Sequence, residues 1–222
     1  MTAELRAPRN PDADIEVRTA AALRLTYLVD AVIAIAITLL ALNLPVPVGT
    51  TNAAVLRSVV ENWHVYLAFM ISFVVIGAHW TGHHRVFRYL QTLGGRLTTI
   101  TLYWLLTQVV TPFTTNVLTG NGAFQARFIL YAGVQAASGI LFILMIREIE
   151  VNGLYRPDVP PGLSRNAIMR TASLTAGFLV SIPVSFAGES AYACWIVVPL
   201  LLGAVNAIRR RRNPVAPLSN RR

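Results

Sequence analysis

The chain has 222 residues, of which 55% are apolar and only 13% charged, with a mean hydropathy of +0.55. Soluble domains carry about 25% charged residues, so this composition excludes an ordinary soluble domain and a disordered chain, while a lone cysteine, Cys194, excludes a disulfide scaffold or a cysteine-built metal cage. The net charge is +9, and all 19 basic residues are Arg; where they fall reads as membrane topology rather than nucleic-acid binding.

Residues 1–20 are polar and partly acidic, with Asp12, Asp14 and Glu16, and no cleavable signal peptide is visible. They are expected to form a mobile cytoplasmic tail. Six charge-free intervals follow, over 31–56, 62–84, 97–126, 128–146, 171–188 and 190–208. A membrane helix needs about 20 mostly apolar residues to cross a ~30 Å core. The intervals therefore predict helices at roughly 25–45, 61–82, 97–118, 124–147, 168–187 and 190–208. Pro45 and Pro47 end the first helix. Gly120-Asn121-Gly122 separates the third from the fourth, and Ala187-Gly188 separates the fifth from the sixth. Pro112 falls inside the third, which neighbouring helices can tolerate. A second mobile tail is expected over 213–222, leaving 21–212 as one six-helix transmembrane domain.

With the N-terminus in the cytoplasm, every arginine except Arg57 and Arg127 lies on the cytoplasmic side. The positive-inside rule then places both termini there. The run Arg209–Arg212 reads as a stop-transfer anchor beside the headgroups. The expected class is an all-α, multi-pass membrane protein embedded in lipid, with no nucleic-acid partner.

Enzyme motifs are absent: there is no Walker loop, Rossmann fingerprint or G-x-S-x-G elbow. No carboxylate pair suits acid–base work, and no cofactor is expected. His79 and His83 stand four apart on one helix face, with His84 beside them. That spacing is weak evidence for a metal without further ligands, and a hydrogen-bonding role at the inner end of the second helix fits better. A passive pore, a coupled carrier or a membrane scaffold remain. Carriers usually show repeats and broken helices at mid-membrane, and the chain shows no repeat.

The first helix carries the strongest signal. Asp30 lies six residues beyond Arg24, roughly 9 Å along the axis at 1.5 Å per residue. A carboxylate at that depth faces a bundle interior, water or the interface; its candidate partners are Arg24 and the His79–His84 cluster. Further along, Ile35, Thr38 and Leu42 form one stripe with Leu39 at its border, and Ala31, Ala34, Ala36 and Ala41 permit close helix approach. Apolar rings broken by a hydroxyl suit a narrow cation pore that closes by dewetting. A membrane Thr also commonly bonds back to a carbonyl one turn earlier.

These residues resemble the bacterial branch of the transmembrane protein 175 family of potassium channels. The family's first-helix signature, Arg-x-x-x-Phe-Ser-Asp, here reads Arg24-x-x-x-Leu28-Val29-Asp30, followed by Ala34-Ile35-Ala36-Ile37-Thr38-Leu39-Leu40. The run His79-Trp80-Thr81-Gly82-His83-His84-Arg85-Val86-Phe87 is similar to the family's aromatic and histidine segment. The resemblance implies a potassium-selective, leak-type channel in the bacterial cell membrane, a homotetramer with the first helix lining a central pore. It implies Ile35 as the constriction, Thr38 as the hydroxyl layer linked to cation preference, and Leu39 and Leu42 as further rings. Arg24, Asp30, His79, His83 and His84 carry over as the structural and gating motif. Leu28 and Val29 depart from the family's Phe and Ser, and Val29 offers no side-chain hydrogen bond to a network around Asp30. The chain holds a single copy of the motif, so several subunits must each contribute one helix to enclose a pore. No Thr-Val-Gly-Tyr-Gly filter occurs, so selectivity rests on side chains. The alternative reading is an ion- or proton-coupled secondary transporter using Asp30 and the histidines.

Overall fold

A computed structural model of the chain describes residues 11–212. Its seven α-helices are α1 (Pro11–Leu42), α2 (Asn52–Glu61), α3 (Trp63–Phe87), α4 (Leu97–Thr119), α5 (Phe124–Val151), α6 (Leu163–Val184) and α7 (Cys194–Arg212). Two 3-10 turns, Ser185–Ala187 and Glu189–Ala193, join α6 to α7. Five segments are long and apolar enough to cross a membrane: 16–42, 63–87, 124–151, 163–187 and 189–208. The predicted third helix exists as α4 but is not among the five, because it is rich in Thr and carries Gln108 and Asn116.

Two local differences from the expectation have plain causes. The first helix begins at Pro11 rather than near 25, so residues 11–20 are helical and not a tail. Pro suits a first helical position because it needs no N–H partner there. Residues 12–24 contain no Gly or Pro to stop the helix. The remaining tail residues, 1–10 and 213–222, lie outside the described residues, as do the side chains of Arg209–Arg212. The second difference is α2, in a stretch expected as a loop. Thr51 caps it by accepting from the Ala54 N–H at 3.2 Å, and the Ser58 hydroxyl accepts from the Val48 N–H at 3.2 Å, which folds α2 back onto the chain after α1.

The main apolar core gathers α1, α3, α4 and α5, with Leu25, Val29, Ile33, Ile76, Trp104 and Met145 buried. A smaller aromatic core joins α5 to α6 and α7 through Phe128, Tyr131, Phe178 and Trp195. At one end, the loops after α3 and after α5 pair as a short antiparallel bridge between Leu90 and Tyr155. The Gln91 N–H donates to the Leu154 carbonyl and the Arg156 N–H to the Tyr89 carbonyl, both at 2.9 Å. The Glu148 carboxylate accepts from the Arg96 N–H at 2.9 Å. The Arg18 Nε–H donates to the Leu93 carbonyl at 3.1 Å, tying α1 to the same knot.

Small residues let α5 and α6 approach closely. A Cβ at Gly139 would collide with the Thr175 hydroxyl across that contact. Gly139→Val should therefore destabilise the subunit by about 1–3 kcal/mol through overpacking, seen as a lowered thermal midpoint in detergent. An unchanged midpoint would show that the contact relaxes freely.

Candidate functional site

The helix period divides α1 into two faces. Leu25, Val29, Ile33, Ala36 and Leu40 recur at three- and four-residue steps and are buried in the core. The opposite side of the helix carries Leu28, Ala31, Ile35, Thr38, Leu39 and Leu42, all exposed on the subunit. Ile35 is 58% exposed and Leu42 78%, so bulky apolar side chains here have no cover within their own chain. The structure thus groups the predicted stripe on one face and turns that face away from the core. The Thr38 hydroxyl donates to the Ile35 carbonyl at 2.8 Å. Its single hydrogen is spent within the helix, which leaves the oxygen lone pairs as acceptors pointing away from the bundle.

Asp30 is half-buried on the flank between these faces. Its carboxylate accepts from the Trp80 indole N–H at 2.9 Å. The partner therefore comes from the His79–Phe87 run on α3, and not from Arg24, which is exposed and forms no ion pair with Asp30. The reason is geometric. Arg24 and Asp30 are six residues apart, outside the three- and four-residue spacings that meet on a helix. Trp80 in turn stacks on His84, with ring centroids 5.5 Å apart. Val29, the residue before Asp30, is fully buried and packs in the apolar core.

His79 and His83 share the buried face of α3 but have different neighbours. The His79 Nδ1 lies 3.4 Å from the Gln108 side-chain oxygen and 3.3 Å from the Ser138 hydroxyl. Gln108 also donates to the Ser138 hydroxyl at 2.7 Å, so α3, α4 and α5 meet in one polar cluster. His83 is held between aromatic rings, 3.7 Å from Phe87 and 5.2 Å from Trp104 by centroid, and neither ring nitrogen has a hydrogen-bond partner among the described residues. The pair therefore does not converge on one point: one ring joins a hydrogen-bonded cluster and the other fills an aromatic stack. Sequence reasoning passed over Gln108, Ser138 and the role of Trp80. An amide in a charge-free span was the available signal for Gln108, since polar groups at membrane depth need partners.

Fold and site together define a multi-pass helical membrane protein whose first helix keeps one face unpaired. Residues 24–112 match the family described as the endosomal/lysosomal potassium channel TMEM175, a match spanning α1 to the middle of α4. A potassium channel of Streptomyces collinus is 28% identical over 162 residues, covering 71% of this chain and 79% of that protein. A potassium channel of Chamaesiphon minutus is 38% identical over 122 residues, covering 51% of this chain and 58% of that protein. In fold the chain is similar to the crystal structure of a lysosomal potassium-selective channel TMEM175 homolog from Chamaesiphon minutus. The TM-score is 0.65 at 24% identity, covering 86% of this chain and 98% of that one. Over residues 24–112 the chain is similar to the TMEM175 family.

The Asp30–Trp80 contact generates a direct test. Trp80→Phe keeps an aromatic ring against His84 and removes the donor. In a double-mutant cycle with Asp30→Ala, the pair should show a coupling of about 1 kcal/mol. That is below the 1.5–3 kcal/mol of a buried hydrogen bond to a charge, because both groups are partly exposed. Additive effects on the thermal midpoint would mean that α1 is held without this contact.

Proposed function

We propose that the protein is a potassium-selective cation channel conducting passively, a homotetramer in which four copies of α1 surround a central pore. The observation that carries this reading is the uncovered face of α1, which lies within the segment that matches the family. A single helix cannot enclose a pore, and cyclic assembly would bury the stripe among its copies while leaving the channel axis lined by it. Both termini would lie in the cytoplasm of a bacterial cell, and α4 would serve as the sixth span. Its Thr hydroxyls support this, because Thr101, Thr111 and Thr115 each donate to the carbonyl four residues earlier at 2.8 Å, which lowers the polarity the helix shows to its surroundings.

In this arrangement Ile35 forms the apolar constriction, and Leu39 and Leu42 line wider rings. From Ile35 to Leu42 the stripe rises about 10 Å at 1.5 Å per residue. Apolar rings of that length make wetting, and not charge, the barrier to conduction. Thr38 supplies the oxygen layer. With its hydrogen committed to the Ile35 carbonyl, each hydroxyl offers lone pairs to a cation giving up part of its hydration.

Native mass measurement in detergent should find four copies of the 24.3 kDa chain; a conducting monomer would defeat the pore. Recordings in planar bilayers test the stripe. Ile35→Ala should raise conductance or leak. Thr38→Val should lower potassium preference over sodium, read from reversal potentials under opposed gradients, with folding stability within about 0.5 kcal/mol because the side chain lies outside the subunit core. Unchanged selectivity in Thr38→Val would reduce that hydroxyl to bonding its own helix.

A further inference from the structure

At the end of the bundle that carries Arg85, Arg88, Arg147, Arg156, Arg165 and Arg170, a cavity of about 700 Å³ opens well away from the α1 stripe. It lies between the end of α3, the Pro160–Pro161 turn, α6 and α7. This volume is in the range of ligand pockets, ~300–1,000 Å³. Arg85 enters from the last turn of α3 and Arg170 from α6. Asn206 and Ser173 add neutral polar groups, and Leu163, Met169 and Leu174 supply apolar wall. No carboxylate lines the cavity. Among the described residues neither arginine forms an ion pair, and Asp158 in the adjoining loop pairs with Arg156 at 3.6 Å. Two unpaired guanidiniums over an apolar wall form an anion site with a greasy side.

We propose that this cavity holds the phosphate diester headgroup of an anionic phospholipid, with Arg85 and Arg170 on the phosphate. Guanidinium groups bind phosphate oxygens through paired, charge-assisted hydrogen bonds, and basic pockets between membrane helices suit lipid headgroups. The surface beyond the cavity selects lipid over free phosphate. Leu174, Leu179 and Val180 on α6 and Leu200, Leu201 and Val205 on α7 are all exposed apolar side chains. They give acyl chains a track that a free anion does not use. The inference requires that the bundle sits in lipid but not that it conducts, and its test reads binding and no current.

The test is native mass spectrometry of the full chain titrated with phosphatidylglycerol, with phosphatidylcholine as the zwitterionic reference. Phosphatidylglycerol should bind more tightly. Arg85→Gln with Arg170→Gln should weaken it about thirtyfold, from roughly 1 kcal/mol or fivefold per arginine, and leave phosphatidylcholine nearly unaffected. Arg88→Gln with Arg147→Gln removes the same charge outside the cavity, and an equal loss there would overturn the site in favour of diffuse attraction. A Cβ at Gly203 meets nothing within 4 Å, so Gly203→Leu grows into the open cavity with both arginines kept. It should also weaken phosphatidylglycerol, and it decides the matter if the double arginine variant does not fold. Unaltered binding in Gly203→Leu, equal affinity for the two lipids, or displacement by equimolar inorganic phosphate would each overturn the proposal.

Discussion

Inside a bilayer no water satisfies a polar group, so polar side chains seek partners within the protein, and apart from His83 and the Trp104 indole N–H, which sit in an aromatic stack, the interior of this bundle follows that constraint. Ser72 of α3 meets the Tyr131 hydroxyl of α5 at 3.0 Å and the Thr115 hydroxyl of α4 at 2.7 Å. Gln135 donates to Thr111 at 3.3 Å, and Gln108 to Ser138 at 2.7 Å beside His79. These contacts tie α3, α4 and α5 at successive levels along their length. Each contributes only about 0.6–2 kcal/mol in a membrane. Their larger effect is on register, because sliding one helix would strand several buried polar groups together. The three helices form a polar-seamed block on which the rest of the subunit leans.

The contact between α1 and that block is of another kind. It is almost wholly aliphatic along Leu25, Val29, Ile33, Ala36 and Leu40. Aliphatic contact is tolerant of small rotations, since dispersion has no direction. It leaves the far side of α1 with no partner in the same chain, including a hydroxyl whose acceptor positions face outward. In the proposed tetramer, that unspent surface becomes the interior of the assembly, and the block behind it serves as a frame. A helix whose two faces both carry large apolar residues fits burial on both sides better than one-sided packing.

The long helices were legible because charge is so costly at membrane depth that its absence marks apolar spans, and α3 and the start of α4 follow the charge-free intervals closely. The start of α1 was not legible from apolarity, because residues 11–24 are amphiphilic and helical by propensity. α2 escaped for a similar reason: its signal is the Thr51 cap and the Ser58 bond, not a hydrophobic run. The grouping of Ile35, Thr38 and Leu42 on one face was legible from a 3.6-residue period. The partner of Asp30 was not. Opposite charge favoured Arg24, whereas the true contact depends on how α1 is rotated against α3, and one chain's periodicity does not encode that angle. The bridge between the loops at Leu90 and Tyr155 was equally hidden, because backbone pairing between distant loops leaves no pattern in side chains.

That rotation is the quantity on which any function of the α1 stripe rests, and two directional contacts bear on it. At one end Arg18 donates to the Leu93 carbonyl, and the Leu93 N–H returns a bond to the Arg18 carbonyl at 3.3 Å. In the middle Asp30 accepts from Trp80. These anchors lie about 18 Å apart along the helix at 1.5 Å per residue, and both pull on the side away from the stripe. A slippery aliphatic contact supplemented by directional bonds at these two anchors fixes the face that α1 turns outward without using any residue of that face. The same arrangement accommodates Val29 beside Asp30. A buried valine adds packing to the tolerant part of the contact, and the directional part falls to Trp80. The orientation of the stripe therefore depends on a residue of α3 that never reaches it.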